Sequence, residues 1–291
     1  MIDRHNKILD VLAISHKIEV TALSEILEVS QVTVRKDLDL LEELGLLRRE
    51  HGYAVFGPGD DACRRMAIQY DVKRRIARSA ADLVEDGETV MVESGSCCTL
   101  LAEQLAYSKK DITIVTNSAY IAGHIRQAKD IRIVLLGGEY LPGPQITAGP
   151  ITSRAAEVFL PEKFFVGANG FNEKYGFTGR DHLRAQTVRD LAEQAGEIIV
   201  LTESEKFNRK GAEKTIALAQ TARLITDDRL GTDREEALRT HDTKIEKVPF
   251  SDSSSAALRE RLLALTGGGA SAPAGFSGEP GALGPEPRPE P

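Results

Sequence analysis

The sequence runs to 291 residues, 41% hydrophobic and 28% charged, with 5% aromatic residues and a formal net charge of −7 at pH 7. This balance excludes disorder along the whole chain and suits about two domains. No apolar run approaches the roughly 20 residues that a membrane span requires.

The charged opening MIDRHNK lacks the hydrophobic centre of a signal peptide, so a cytoplasmic protein without membrane contact is expected. Cys63, Cys97 and Cys98 show no CxxC spacing, which implies reduced thiols rather than a disulfide framework or a zinc site. No metal or cofactor is expected. An acidic total weighs against nucleic acid, because affinity there depends on Lys and Arg neutralising phosphates. A local basic stripe on one small module is nevertheless enough.

Residues 1–57 read as such a module. Ile8, Leu9, Val11 and Leu12 fall at helical spacing, followed by Leu23, Ile26 and Leu27, and then by Val34, Leu38, Leu41 and Leu44. Thr21 and Ser30 are placed to cap the second and third helices, and Gly45 is a natural left-handed stop after the third. LLRRE and YAVF then read as two short strands around His51 and Gly52, the hairpin of a wing. Ser30, Gln31, Thr33, Arg35 and Lys36 crowd the start of the third helix, while Val34, Leu38 and Leu41 lie on its other side. A helix that enters the major groove needs this division. Arg35 and Lys36 suit phosphate or the O6/N7 edge of guanine, Gln31 suits adenine, and the Thr33 methyl suits thymine. Arg48, Arg49 and His51 on the wing would add backbone contacts. An amphipathic three-helix bundle with ordinary surface charges satisfies the helix pattern taken alone.

The caps, the polar helix and the wing occur in one contiguous order. LSEILEVSQVTVRKDLDLLEELGLLRREHG resembles the winged-helix signature of the DeoR family of sugar-metabolism repressors, through Val29-Ser30, Thr33 to Leu38 and Arg49-Glu50-His51-Gly52. Tyr53 stands where the family usually has a second glycine. The resemblance continues to about residue 230. It implies an N-terminal winged helix-turn-helix followed by a C-terminal α/β sensor domain, whose mostly parallel sheet resembles ribose-5-phosphate isomerase. The implied function is repression of carbohydrate-metabolism genes, released or modulated by a phosphorylated sugar. Operator DNA and that sugar are the implied partners.

Residues 58–72 lack periodicity and read as a linker. Over 73–265, helices alternate with the strand candidates ETVMVE, DITIVT, IRIVLLGG, KFFVGANG, EIIVLTE and ARLIT, the rhythm of a parallel sheet with crossover helices. Residues 266–291 form a Gly/Pro-rich tract expected to be a disordered tail. Ligands of open α/β sheets bind at the carboxyl ends of the strands, so the polar strand ends are the candidate effector site.

Ser94, Gly95 and Ser96, with Thr99 beyond them, follow the first strand and open a helix, where backbone N–H groups and hydroxyls suit a phosphate. A generic strand-to-helix turn is the competing reading. The family's form there is Asp-Ser-Gly-Thr/Ser-Thr, from which Glu93 and the Cys97-Cys98 pair depart. Thr116 and Asn117 close a second strand, Gly137 and Gly138 a third, and Asn169 and Gly170 a fourth. The asparagines suit sugar hydroxyls or, equally, bond their own turns. Lys206 in TESEKF resembles the family's Asp-Ser-Ser-Lys-Phe and would neutralise phosphate charge. Arg189 stands in for a family lysine, and the Arg184 segment replaces a family glutamate. Lys73 matches the start of the family's first effector-domain helix, beside the linker.

The serious alternative is a sugar-phosphate isomerase or deaminase, with Glu93, Asp181 and Glu203 as possible bases. A purely structural module would leave the polar strand ends unexplained. Binding without turnover is expected of a sensor fused to a DNA-binding module. A homo-oligomer is expected, because one recognition helix reads too few base pairs.

Overall fold

The computed structural model describes residues 3–43, 46–56 and 65–250. Leu44, Gly45, Cys63, residues 58–64 of the linker expectation and the tail over 266–291 lie outside the described residues.

The N-terminal unit runs α1 (Asp3–Ser15), β1 (Lys17–Glu19), α2 (Val20–Leu27), α3 (Gln31–Glu43), β2 (Arg48–Glu50) and β3 (Tyr53–Val55). Ile8, Leu9, Val11 and Leu12 of α1 meet Leu23 and Ile26 of α2 and Val34, Leu38 and Leu41 of α3 in a shared core. Each such side chain stabilises the fold by about 1.5–3 kcal/mol on full burial. Ser30 caps α3 as expected, its hydroxyl accepting from the Thr33 N–H at 3.1 Å. Thr21 does not cap α2. That helix begins two residues before the start a Thr21 cap would set, at Val20, with no side-chain cap, and the Val20 N–H donates to the Gly52 carbonyl at 2.9 Å.

Strand β3 lies between β1 and β2 and is antiparallel to both. Strand β1 was not expected, its three residues being too few to show an alternation. In the β2–β3 turn His51 has φ 46° and Gly52 has φ 88°, the two positive values that a type I′ hairpin needs. Tyr53 is already in extended β3 opposite Glu50, so no second glycine is required there. Asp37, on the inner face of α3, ties that helix to α1 through Arg4 Nη2 at 2.9 Å and His5 Nε2 at 3.0 Å. Burial alone would raise its carboxyl pKa, but the hydrogen bonds from Arg4 and His5 outweigh burial and hold it below the ordinary value.

The second unit starts with α4 (Tyr70–Ala81), β4 (Thr89–Val92), α5 (Ser96–Ser108), β5 (Ile112–Thr116), α6 (Ala119–His124) and β6 (Ile131–Leu135). It continues with β7 (Glu139–Leu141), β8 (Ile146–Ala148), α7 (Pro150–Ala156), β9 (Lys163–Gly167), β10 (Gly170–Asn172) and β11 (Gly176–Gly179). It ends with α8 (His182–Ala192), β12 (Glu197–Leu201), β13 (Glu213–Lys214), β14 (Thr221–Asp227), α9 (Thr232–Arg239) and β15 (Lys244–Val248). Among the described residues the main sheet has seven strands in the order β15-β14-β12-β9-β4-β5-β6. Every neighbouring pair is parallel.

All six strand candidates take part. Strand β15 escaped notice because KIEKV, at the sheet edge, carries the charges with which edges are commonly protected. The central strands are apolar runs because both faces are covered. Val90, Val92, Phe165, Ile199 and Leu201 face the core under α4 and α5, while Met91, Phe164, Val166, Ile198 and Val200 face the opposite one. The linker expectation is corrected in its second part. Met66 and Ala67 are buried, and helix α4 has begun by Tyr70.

From β4 the chain moves outward through β5 to β6, then returns to β9 on the other side of β4 and proceeds outward to β15. The strand order therefore reverses between β4 and β9. Crevices for ligands open at the carboxyl ends of strands at such a reversal.

Candidate functional site

Two places gather the polar chemistry. The first is the exposed start of α3. Ser30, Gln31, Arg35 and Lys36 are exposed there and Thr33 is half-buried. Arg35 reaches back to Gln31 Oε1 at 3.3 Å, so the two present one polar edge. Val32, 59% exposed, adds an apolar surface of the kind that meets a thymine methyl. Sequence reading missed it, although its position off the Val34–Leu38–Leu41 stripe was the available signal.

The wing residues do not all join this edge. His51 is exposed in the hairpin turn. Arg49 pairs with Asp39 of α3, and its N–H donates to Glu42 Oε1 at 2.8 Å. Arg48 lines a groove with Tyr120 and Gln145 of the second unit. Arg49 is thus committed to α3, whereas Arg48 is exposed at the edge of that groove.

The second place is the crevice between β4 and β9. Strand β4 leads through Glu93, Ser94 and Gly95 into the 13-residue helix α5, whose N-cap is Gly95. A glycine offers no capping side chain, so no side chain caps the first-turn N–H groups at the positive end of the helix dipole. Close approach explains the glycine: a Cβ on Gly95 would lie 3.2 Å from the Cα of Gly167 at the end of β9.

Ser94, Gly95 and Ser96 line this cleft together with Asn169, just beyond β9, and Lys206, in the 3-10 turn Ser204–Asn208 after β12. The start of α8 contributes Arg180, Asp181 and Arg184. Thr178 and Thr215 complete a hydroxyl-bearing wall, and Thr215 Oγ1 is buried without a hydrogen-bond partner. Arg65 reaches the cleft from the segment before α4.

Each carboxylate of the cleft is engaged. Glu93 Oε1 accepts from the Ser94 hydroxyl at 2.7 Å, and its Oε2 faces the Gly167 N–H at 3.4 Å. Asp181 caps α8 by accepting from the Arg184 N–H at 2.9 Å. Glu203 is buried 3.3 Å from the equally buried Lys73 ammonium. Burial alone would raise the Glu203 pKa, but Lys73 and Lys206 outweigh burial and hold the carboxylate charged, below its ordinary value. Burial pushes the Lys206 ammonium below its usual value against the pull of Glu203. Cys97 Sγ lies 3.8 Å from Glu203 Oε2. Burial, reinforced by Glu203, pushes the Cys97 thiol well up, and burial does the same to Cys98, so both are neutral thiols rather than nucleophiles.

The remaining residues expected at the effector site stand behind the cleft instead of lining it. Thr99 Oγ1 donates to the Gly95 carbonyl at 3.1 Å. Thr116 Oγ1 donates to Val92 O at 2.6 Å, and Asn117 Nδ2 to Thr147 O at 2.9 Å, so these strand-end groups tie β5 and the residue after it to β4 and β8. The Gly137 carbonyl accepts from Thr152 of α7 at 2.8 Å, and a Cβ on Gly138 would fall 2.0 Å from that same hydroxyl. Gly170 packs where a Cβ would meet Arg209 O at 2.5 Å. Arg189 fastens α8 to Lys214 O and also donates to Gln186 Oε1 of the same helix.

Residues 4–57 match the model of the DeoR-like helix-turn-helix domain, and residues 68–228 match that of the DeoR C terminal sensor domain. The HTH-type transcriptional regulator YulB of Bacillus subtilis (strain 168) is 27% identical over 253 residues, 86% of this chain and 97% of its own. The lactose phosphotransferase system repressor of Streptococcus mutans serotype c is 33% identical over 217 residues, 72% of this chain and 85% of its own. Ribose 5 phosphate isomerase A from Neisseria gonorrhoeae overlays with a TM-score of 0.37 and 19% identity, covering 48% of this chain and 54% of its own. No helix among the described residues is long and apolar enough to cross a membrane.

Proposed function

The chain belongs to the DeoR family of transcriptional regulators, and from that premise we propose that it represses carbohydrate-metabolism genes and releases or modulates its operator in response to a phosphorylated sugar. The observation that carries the reading is the cleft at the β4/β9 reversal. There, first-turn amides of α5 that no side chain caps, the Ser96 hydroxyl and the Lys206 ammonium line one space contributed by several elements. Amides at a helix N-terminus with a nearby cation bind phosphate well. Asn169 and the unpartnered Thr215 hydroxyl suit sugar hydroxyls, each able to donate and accept.

Binding without turnover fits the state of the acids. An isomerase needs a carboxylate free to take a proton from carbon, whereas Glu203 is paired with Lys73, Asp181 caps α8 and Glu93 is engaged by Ser94. Gln31, Thr33, Arg35 and Lys36 are the base- and phosphate-reading residues in this account, with His51 on the wing. Action on operator DNA places the protein in the cytoplasm. A homo-oligomer supplies the second recognition helix that a selective site requires.

Titration calorimetry of the full chain with sugar phosphates and their unphosphorylated parents tests the cleft. At least one phosphate is expected to bind saturably while its parent does not. Lys206→Gln is expected to weaken that binding about tenfold or more, since hydrogen bonds to charged groups contribute roughly 1.5–3 kcal/mol. Equal binding of parent and phosphate, or an unchanged Kd in the variant, would contradict the assignment.

A further inference from the structure

The segment between the two matched domains contributes to the cleft. Arg65 lines it, although residues 58–67 belong to neither matched span. The Arg65 backbone is fixed by a buried side chain: Lys73 Nζ donates to the carbonyl of Arg65 and, at 2.6 Å, to that of Ile68. The same ammonium lies 3.3 Å from Glu203, itself part of the cleft lining. Met66 and Ala67 are buried beside it, and Gln69 Nε2 donates to Glu205 Oε2 at 2.8 Å. Two residues further on, Asp71 accepts from Asn6 of α1 in the DNA-binding unit. One short stretch, 65–71, therefore touches the cleft at one end and the DNA-binding unit at the other.

We propose that Arg65 is an effector-binding residue supplied by the junction, and that Lys73, paired with Glu203, is the positioning residue through which cleft occupancy and junction position are coupled. The proposal rests on the cleft being the effector site. The Arg65 guanidinium adds a charge-assisted contact to an anion already held by the α5 amides and Lys206. An anion that touches Arg65 stabilises the junction arrangement in which the contact forms. Operator affinity changes only to the extent that the DNA-bound arrangement holds Arg65 differently, and by linkage operator DNA then changes anion affinity by the same factor.

The test uses the full chain, DNA selected in vitro for binding to it, and ribose 5-phosphate, fructose 1-phosphate, glucose 6-phosphate and glycerol 3-phosphate as probes. The variants are Arg65→Gln and Arg65→Lys. For Arg65→Gln the probe Kd is expected to rise about tenfold, as loss of one charge-assisted bond implies, and each protein's operator Kd with probe is compared with its own operator Kd without probe. The operator Kd ratio with and without saturating probe should shrink toward unity in Arg65→Gln and recover in Arg65→Lys. Because the ratio is read at saturation, it reports coupling separately from affinity. A wild type that binds no probe would overturn the effector reading, and this inference with it. A wild type that binds and responds, alongside an Arg65→Gln variant equal to it in Kd and ratio, would overturn the Arg65 assignment alone. Weakened binding with an unchanged ratio would overturn the coupling.

Discussion

Lys73→Met is expected to destabilise the protein by about 3 kcal/mol or more, because removing one partner of a buried ion pair leaves the other charge unpaired. The affected partner is Glu203, buried at the floor of the cleft. The substitution also strips a donor from the carbonyls of Arg65 and Ile68. Lys206 remains near Glu203 and softens the loss, which places the expectation toward the lower end of the range for such pairs. For a domain of this size the melting temperature should fall by roughly 6–12 °C.

The pH dependence gives the effect a signature. In the wild type the folded pKa of Glu203 lies below its ordinary value. Its contribution is therefore complete above the unfolded carboxyl pKa and is lost as pH falls through the folded one. In the variant burial dominates and the sign reverses: the unpaired carboxylate costs most at high pH, and protonation relieves it as pH falls through a raised value. The gap in melting temperature between the two proteins should thus be smaller at about pH 5 than at about pH 8. Lys73→Met/Glu203→Gln should recover part of the loss. Scanning calorimetry that finds the variant within about 2 °C of wild type at neutral pH, well under the shift expected for a buried pair, would refute the account of this pair.

Arg35→Ala is expected to weaken operator binding by about fivefold to 150-fold, the loss that accompanies a base-edge contact of about 1–3 kcal/mol. Its guanidinium stands at the exposed start of α3 beside Gln31, while the rest of that helix is held in place by Val34, Leu38, Leu41 and the Asp37 network. Removal should therefore leave fold and effector binding intact. Lys36→Ala, if it acts on phosphate, should weaken all sequences alike and lower the salt slope by about one. Arg48→Ala and Arg49→Ala should change operator affinity much less, since one lines the groove facing the second unit and the other pairs with Asp39. Fluorescence anisotropy with selected DNA separates these cases, and an Arg35→Ala variant as tight as wild type would remove Arg35 from the interface.

The readability of these features in the sequence follows physical range. Ser30 capping, the α3 stripe and the six strand candidates depend on neighbours within one or two turns or on a local period, and they emerge as expected. The Ser94–Ser96 segment and Lys206 were legible for the same reason, each lying in the first residues or the first turn that follows an apolar strand. Thr116, Asn117 and Gly138 have the right residue types at strand ends, but their partners, Val92, Thr147 and Thr152, are distant in sequence and claim them for contacts between elements of the fold. Arg65 and Thr215 carried no local signal, since only tertiary packing brings them to the cleft. Tyr53 is instructive in the other direction. Its departure from the family's glycine has no consequence for the wing, because His51 and Gly52 already supply both positive φ values.

The most direct measurement is the anisotropy of selected operator DNA titrated with the full chain, with and without each sugar phosphate. At least one phosphate should shift the operator Kd by about fivefold or more, the lower range of allosteric coupling, while its unphosphorylated parent leaves it unchanged. An operator affinity that stays constant across phosphates shown by calorimetry to occupy the cleft would contradict a repressor controlled through that site.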